Sequence, residues 1–285
     1  MRLGLASLAS KPHQHASSEW FKWLLWPVTL FSMMITWIYG RTFVVERNRL
    51  NKLKLQTWAI SKYNMQYFSQ QPNESINRLI EEAILEAEEK GARVISLGLL
   101  NQGEELNRYG GLFVHKNPEL KIKVVDGSSL AVAGIQVVTL REDEHEKLIR
   151  SFGGKSESKN LLVSRNYCQK IWLVGNGLTE EEQSKAERGT MFVPFSQFPP
   201  ATKRRKDCTH HLTPAMATPA ALENVDSCEN WLPRRVMSAW RIGRIVHALE
   251  GWNEHECGYT ISNVDTVRDA ALRHGFLPLT IPTQS

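Results

Sequence analysis

Residues 73–100 read NESINRLIEEAILEAEEKGARVISLGLL, and this stretch decides the expected fold. Ile76, Leu79, Ile80, Ala83, Ile84 and Ala87 recur at spacings of three and four, which places them on one face of a helix. Gly91 stands where a helix C-cap favours a left-handed backbone, and the apolar run 93–100 that follows reads as a buried strand. Similar short, β-branched runs occur at 121–125, 135–140, 170–174 and 190–195, each too short for an ordinary helix. Helices alternate with them. Thr179 and Glu182 have the spacing of a capping box, opening a short helix that closes at Gly189. Further helices are predicted over 236–250 and 264–274, ending at Gly251 and Gly275. Strands alternating with helices predict an α/β fold with a mostly parallel, doubly wound, Rossmann-like sheet over 73–285.

One junction conflicts with this expectation. Only nine residues, 126–134, separate the expected strands 121–125 and 135–140, whereas a parallel crossover needs about a dozen or more. Either these strands are not parallel neighbours, or a segment is missing between Ala133 and Gly134.

The N-terminal part has a different character. Residues 23–39, WLLWPVTLFSMMITWIY, carry no charge, and Trp20, Trp23 and Trp26 cluster at one end with Trp37 and Tyr39 at the other. Tryptophan and tyrosine favour the membrane–water interface, and Arg41, Arg47, Arg49, Lys52 and Lys54 follow on the side that charge asymmetry assigns to the cytosol. The expected order is a disordered tail over 1–19, one membrane helix over 20–40 in contact with lipid, a juxtamembrane linker over 41–72, and a cytosolic domain over 73–285. Across all 285 residues the formal charge is +5, with positive and negative residues interspersed, so nucleic-acid binding is not expected. Cys168, Cys208, Cys228 and Cys257 form no CxxC pair and read as reduced thiols.

Several residues carry candidate chemistry. Gly98, Asn101 and Gly103 follow a strand in a polar stretch and either face a cofactor or shape a structural turn. Asp126 also follows a strand, where an acidic residue can bind a ribose hydroxyl or cap a turn. Gly175 and Gly177 end a strand and open a helix, a context for an anion, but Glu180, Glu181 and Glu182 would repel a phosphate. Cys208, His210, His211, His247, His255 and Cys257 are zinc-type ligands, yet their spacings match no zinc module and no metal site is expected. Cys228, Glu229 and Arg234 are the catalytic candidates: positive charge near a thiol favours the thiolate, although no base partner is evident and a packed turn is the plainer reading. The run KRRK at 203–206 either touches anionic headgroups or is a solvated loop.

Six stretches carry a resemblance: LFSMMITWIYGRTFVVE (30–46), SLGLLNQGEELNRYG (96–110), VVDGSSLA (124–131), FVPFSQFP (192–199), SCENWLPRRVMSA (227–239) and HALEGWNEHECG (247–258). Together they resemble the C-terminal half of the plant Eceriferum/Glossy very-long-chain aldehyde decarbonylases, the cuticular-wax proteins that make alkanes. The resemblance runs from about Trp20 to the end. It implies decarbonylation of very-long-chain aldehydes at the endoplasmic-reticulum membrane, a di-iron centre held by histidine boxes in an upstream half, and NADPH as the source of reductant. The given residues offer only His13 and His15 ahead of the apolar segment, so the chain is expected to lack the iron-binding half. In the resembling proteins a strand, a turn and a helix stand between SSLA and the counterpart of GIQVV, so an internal deletion at Ala133–Gly134 is expected. Three functions follow as expectations: decarbonylation as a family member, a non-catalytic partner or regulator of full-length homologues, or a membrane-tethered NAD(P)H-dependent acyl or aldehyde reductase.

Overall fold

The computed structural model describes residues 42–60, 73–138, 170–174, 178–198, 205–211, 213–223, 231–258 and 262–279, with isolated positions at 27–28, 30–32, 34–35, 62, 67, 229 and 260. The chain divides into two compact units, described separately: Met1–Asp126 with Ala220–Asn230 and His247–Thr260, and Gly127–Pro219 with Trp231–Val246 and Ile261–Ser285.

In the first unit, β1 (Phe43–Leu50) and β2 (Leu53–Ala59) form an antiparallel hairpin inside the stretch read as linker. Leu50 pairs with Leu53 across a two-residue turn in which Asn51 takes a left-handed φ of 54°, as a tight hairpin requires. The next helix, α1 (Asn73–Glu89), buries the expected stripe: Ile76, Ile80 and Ile84 are 0–1% exposed. Gly91 ends it at φ 77°, with Ala92 N donating to Ala87 O and closing the final turn. After β3 (Val94–Ser96) come the short helices α2 (Glu104–Asn107) and α3 (Gly111–Lys116), then β4 (Lys123–Val125), parallel to β3 with Ile95 opposite Val124. Ile60, Ile76, Ile80, Ile84, Leu97, Phe113, Leu120, Ile122, Val124 and Cys257 form one core. Burying each large aliphatic side chain contributes roughly 1.5–3 kcal/mol, so the three isoleucines of α1 are a substantial part of this core.

The second unit begins with α4 (Ser128–Val138) and continues through β5 (Ile171–Val174), α5 (Glu180–Ser184), β6 (Met191–Pro194), β7 (Thr209–His210) and β8 (Ala215–Ala217). The short strand β9 (Leu222–Glu223) belongs to the first unit and pairs antiparallel with β1. Then come β10 (Val236–Ser238), α6 (Ala239–Glu250), α7 (Val264–Arg273) and β11 (Leu277–Pro278). Strands β5, β6 and β7 are parallel, whereas β10, β8 and β11 form an antiparallel sheet. Thr179 makes the expected capping box: its Oγ1 accepts from Glu182 N at 3.1 Å, and Thr179 N donates to Glu182 Oε2 at 2.8 Å.

The doubly wound Rossmann-like sheet is overturned. Among the described residues the strands fall into small separate sheets of two or three strands, and the antiparallel ones have no place in a doubly wound design. The conflict at Ala133–Gly134 resolves in the same way. Ile135–Val138, expected to open a strand, continue α4, so no second strand follows β4 by a short crossover. SSLAVA, with two alanines and a leucine, nucleates a helix that the next five residues extend, because helix propagation is far less costly than initiation.

The expected membrane helix is overturned among the described residues; positions 20–26, 29, 33 and 36–40 of that stretch lie outside them. Within 20–40 the described positions 27–28, 30–32 and 34–35 are helical, with Val28, Leu30, Phe31, Met34 and Ile35 exposed. No helix among the described residues is long and apolar enough to cross a membrane.

In the second unit Gly127 sets the packing of α4 against α6. Its φ is 75°, and a Cβ there would overlap the Trp240 carbonyl; reciprocally, a Cβ on Gly243 would lie 3.0 Å from Gly127 O and 3.2 Å from Leu130 Cβ. Gly127→Ala is therefore expected to cost more than about 2 kcal/mol in chemical denaturation, whereas Gly91→Ala, with a similar φ but open space, should cost about 1 kcal/mol. Equal losses in the two variants would refute the close approach.

Candidate functional site

Gly98, Asn101 and Gly103 follow β3, and Asp126 follows β4, so parallel pairing brings these four candidates to the same carboxyl edge of the ladder in the first unit. A third backbone segment joins them. Glu256 bridges Val125 in parallel, with Glu256 N donating to Val124 O at 3.0 Å and Asp126 N donating to Glu256 O at 2.7 Å. The motif at 247–258 thus lies along the edge of β4 opposite β3, and Asp126, Glu256 and Cys257 are all buried.

The polar stretch after β3 is occupied with its own support. Asn107 is 2% exposed; its Nδ2 donates to Asn101 O at 2.8 Å and to Asn77 Oδ1 at 3.4 Å, and its Oδ1 accepts from Gly110 N at 3.1 Å. Asn77, on α1, donates from Nδ2 to Leu106 O at 2.6 Å, and Tyr67 OH donates to Asn101 Oδ1 at 3.3 Å. Arg108, Tyr109 and Gly110 all have positive φ, of 50°, 52° and 91°, a strained run for the two side-chain-bearing residues. Gly258 N donates to Tyr109 O at 3.1 Å and helps hold the run in place.

This geometry does not fit a phosphate turn. Gly103 is extended at φ −176°, and an added Cβ would meet only Leu106 Cβ at 3.8 Å, so no close backbone approach calls for glycine. Glu104 and Glu105 occupy the first turn of α2 and oppose an anion there. A dinucleotide's pyrophosphate has no cradle in this loop. Nor do the residues fit an iron centre: among the described residues no three His, Cys, Asp or Glu side chains come together to hold a metal ion. His255 Nδ1 already accepts from Val124 N at 3.1 Å. Burial, then the carboxylates of Asp126 and Glu256, push the Cys257 thiol up to about 12, so it is protonated and a poor ligand or nucleophile.

The remaining candidates are dispersed. Gly175, Gly177 and Cys228 lie outside the described residues. Glu229 is buried in the first unit, while Arg234 is exposed in the second. Its neighbour Arg235, at φ 61°, donates from Nη2 to Pro219 O at 2.5 Å and accepts through its carbonyl from Thr218 N at 2.8 Å, a structural role. The helix expected from Val236 begins at Ala239, after the strand β10.

The zinc-type residues of the second unit are similarly placed in packing. His210 stacks on Phe192 with centroids 4.9 Å apart, and burial holds His211 below the ordinary histidine range. Within KRRK, Arg205 is a clamp. It donates from Nη1 to Gln183 O and Ala186 O, each at 2.7 Å, and grips Asp207 at 2.9 and 2.7 Å. The Asp207 carboxyl is drawn down to about 2 by that bond.

Sequence reasoning missed Tyr67 and Asn107 as partners of Asn101, and Asn77 as a partner of Asn107. The signal available was a polar residue inside the apolar register of α1, since Asn77 immediately follows Ile76.

Asn107→Ala is expected to destabilise by about 2–3 kcal/mol, because buried backbone groups lose partners, while Gly103→Ala should stay within about 0.5 kcal/mol; urea unfolding of both decides. Cys257 should resist thiol alkylation at pH 8 in the native protein and react after denaturation. Its thiol ionises near 9.0 when unperturbed and near 12 here. Between those values the unfolded chain binds fewer protons than the folded one, so stability should fall as pH rises through that window.

Residues 114–278 match the family model described as CER1-like, C-terminal domain. The chain is 48% identical over 320 residues to the very-long-chain aldehyde decarbonylase CER1 of Arabidopsis thaliana, covering 99% of this chain and 50% of that protein. It is 46% identical over 314 residues to the very-long-chain aldehyde decarbonylase GL1-4 of Oryza sativa subsp. japonica, covering 98% and 50%, and 47% identical over 319 residues to the Arabidopsis protein CER1-like 1, again covering 98% and 50%. The first comparison spans 35 more positions than the 285 residues of the chain, so it contains gaps relative to that protein. The chain spans about half the length of the curated relatives it matches. With more than half of its residues matching the family model and this identity extending over nearly its whole length, the chain belongs to the CER1-like C-terminal domain family.

Proposed function

We propose that this chain serves the conversion of very-long-chain aldehydes to alkanes in a non-catalytic capacity, as a partner or regulator of full-length homologues at the endoplasmic reticulum. The observation that carries the aldehyde substrate class is the 46–48% identity, over almost the entire chain, to proteins named very-long-chain aldehyde decarbonylases. The non-catalytic part rests on what the candidate groups do. Asn101 and Asn107 hold a loop, Cys257 is kept protonated, Glu229 is buried and Arg234 is exposed. None of these arrangements favours the NAD(P)H-dependent reductase reading.

The test is co-expression in a host that accumulates very-long-chain aldehydes, with alkanes measured by gas chromatography. The chain alone should produce no alkane above the empty host. With Arabidopsis CER1 present, adding the chain should change alkane yield at least twofold and the two proteins should co-purify. Alkane formed by the chain alone would overturn the non-catalytic role, and an unchanged yield without co-purification would overturn the partner role.

A further inference from the structure

The motif HALEGWNEHECG is held in place by a hydrogen bond that exists in only one protonation state of a histidine. Val124 lies in β4 and is 1% exposed, so its amide cannot fall back on water. That amide donates to His255 Nδ1 at 3.1 Å, and the neighbouring contacts, Glu256 N to Val124 O and Asp126 N to Glu256 O, are backbone bonds. An imidazole accepts at Nδ1 only when that nitrogen carries no proton. Protonating His255 sets N–H against N–H and leaves the buried Val124 amide without an acceptor, a penalty of the size that decides local opening.

The surrounding charges act on the same equilibrium. Burial first, then Lys123 on β4 and His247 on α6, disfavours a positive charge on His255. Glu254 faces His247, which donates to the Glu254 carbonyl and packs edge-on to Trp252 at 5.5 Å. Asp126 and Glu256 face Cys257. Buried His247 has its Nδ1 enclosed with no hydrogen-bond partner among the described residues, so it has no acceptor waiting for an added proton at that atom.

We propose that residues 252–258 form an acid-released latch: docked on β4 while His255 is neutral, and detached when His255 takes up a proton at Nδ1. Release removes the parallel bridge at Glu256, exposes the Cys257 thiol, and frees Gly258 from Tyr109, which relaxes the strained run Arg108–Tyr109. The latch thereby couples one proton to the order of the loop that carries Asn101 and Asn107.

The sign follows from the direction of the histidine shifts. Both His247 and His255 titrate below the ordinary value of 6.5, chiefly through burial. The docked form therefore binds fewer protons than the released form, and docking weakens as pH falls below about 6.5.

Hydrogen exchange of the full chain, followed by mass spectrometry and corrected for the intrinsic pH dependence of exchange, tests this. Peptides covering 122–127 and 252–258 should lose at least tenfold protection between pH 7.5 and pH 5.0, while a peptide from α1 keeps its protection. Reaction of Cys257 with a pyridyl disulfide, which exchanges to a mixed disulfide and releases pyridinethione even at acid pH, should rise over the same interval. His255→Asn supplies a carbonyl oxygen in place of Nδ1 and cannot titrate, so its protection at 252–258 should be independent of pH. Unchanged protection of 252–258 in the native protein at pH 5.0 would overturn the latch. So would a pH dependence that persists in H255N, since it would assign the sensing group elsewhere. If H255N fails to fold, the native comparison of 252–258 against α1 still decides: equal loss in both means general acid unfolding and refutes a local release.

Discussion

Satisfying the backbone of one buried strand is the constraint on which the first unit depends. Val124 is enclosed, so each of its polar groups needs a protein partner. Along one edge β4 is bonded to β3; along the other, its groups are met by Glu256 N and by an imidazole. These bonds determine where the motif at 247–258 lies. They also bring Cys257 into the core with Leu97, Phe113 and the stripe of α1. The loop after β3 then has one shape available to it, because Asn107 fastens it to Asn101 and Gly110, and Asn77 reaches across from α1.

The result is a carboxyl edge that has the placement of a cofactor site and the chemistry of a structural one. Asn101, Asn107 and His255 spend their acceptors and donors on neighbouring groups there, whereas Gln102 Oε1 is buried without a hydrogen-bond partner among the described residues. The thiol in its midst is protonated, and the acidic first turn of α2 repels anions. A similar economy is seen in the second unit, where a guanidinium from a basic run fastens one carbonyl in the last turn of α5, one just after it, and a carboxylate. Polar residues that look chemically loaded in isolation are here holding irregular backbone in place, which is what loops between short sheets require.

Family membership and local geometry bear on different questions. The identity to very-long-chain aldehyde decarbonylases concerns about half the length of those proteins, and it establishes the family. The geometry concerns what the chain's own residues are free to do. Among the described residues, the groups at the carboxyl edge of β4 hold one another and the backbone in place.

The sequence by itself determined the local elements. The three- and four-residue spacing of α1, the glycine that ends it, the capping box at Thr179 and the short strands at 94–96, 123–125, 171–174 and 191–194 are all properties of neighbouring residues, and each is where periodicity and capping chemistry place it. The six idiosyncratic motifs likewise carried the family. Tertiary structure decided how strands group into sheets, because pairing depends on residues far apart in the chain: β1 with β9, β8 with β11, Val125 with Glu256. It decided that Ile135–Val138 extend a helix, since a β-branched run adopts whichever partner or preceding turn is at hand. It also decided the work of His255 and Asn107. A histidine in sequence is equally a ligand, a base or a packed ring, and only the amide of Val124, 131 residues away, makes it a hydrogen-bond acceptor.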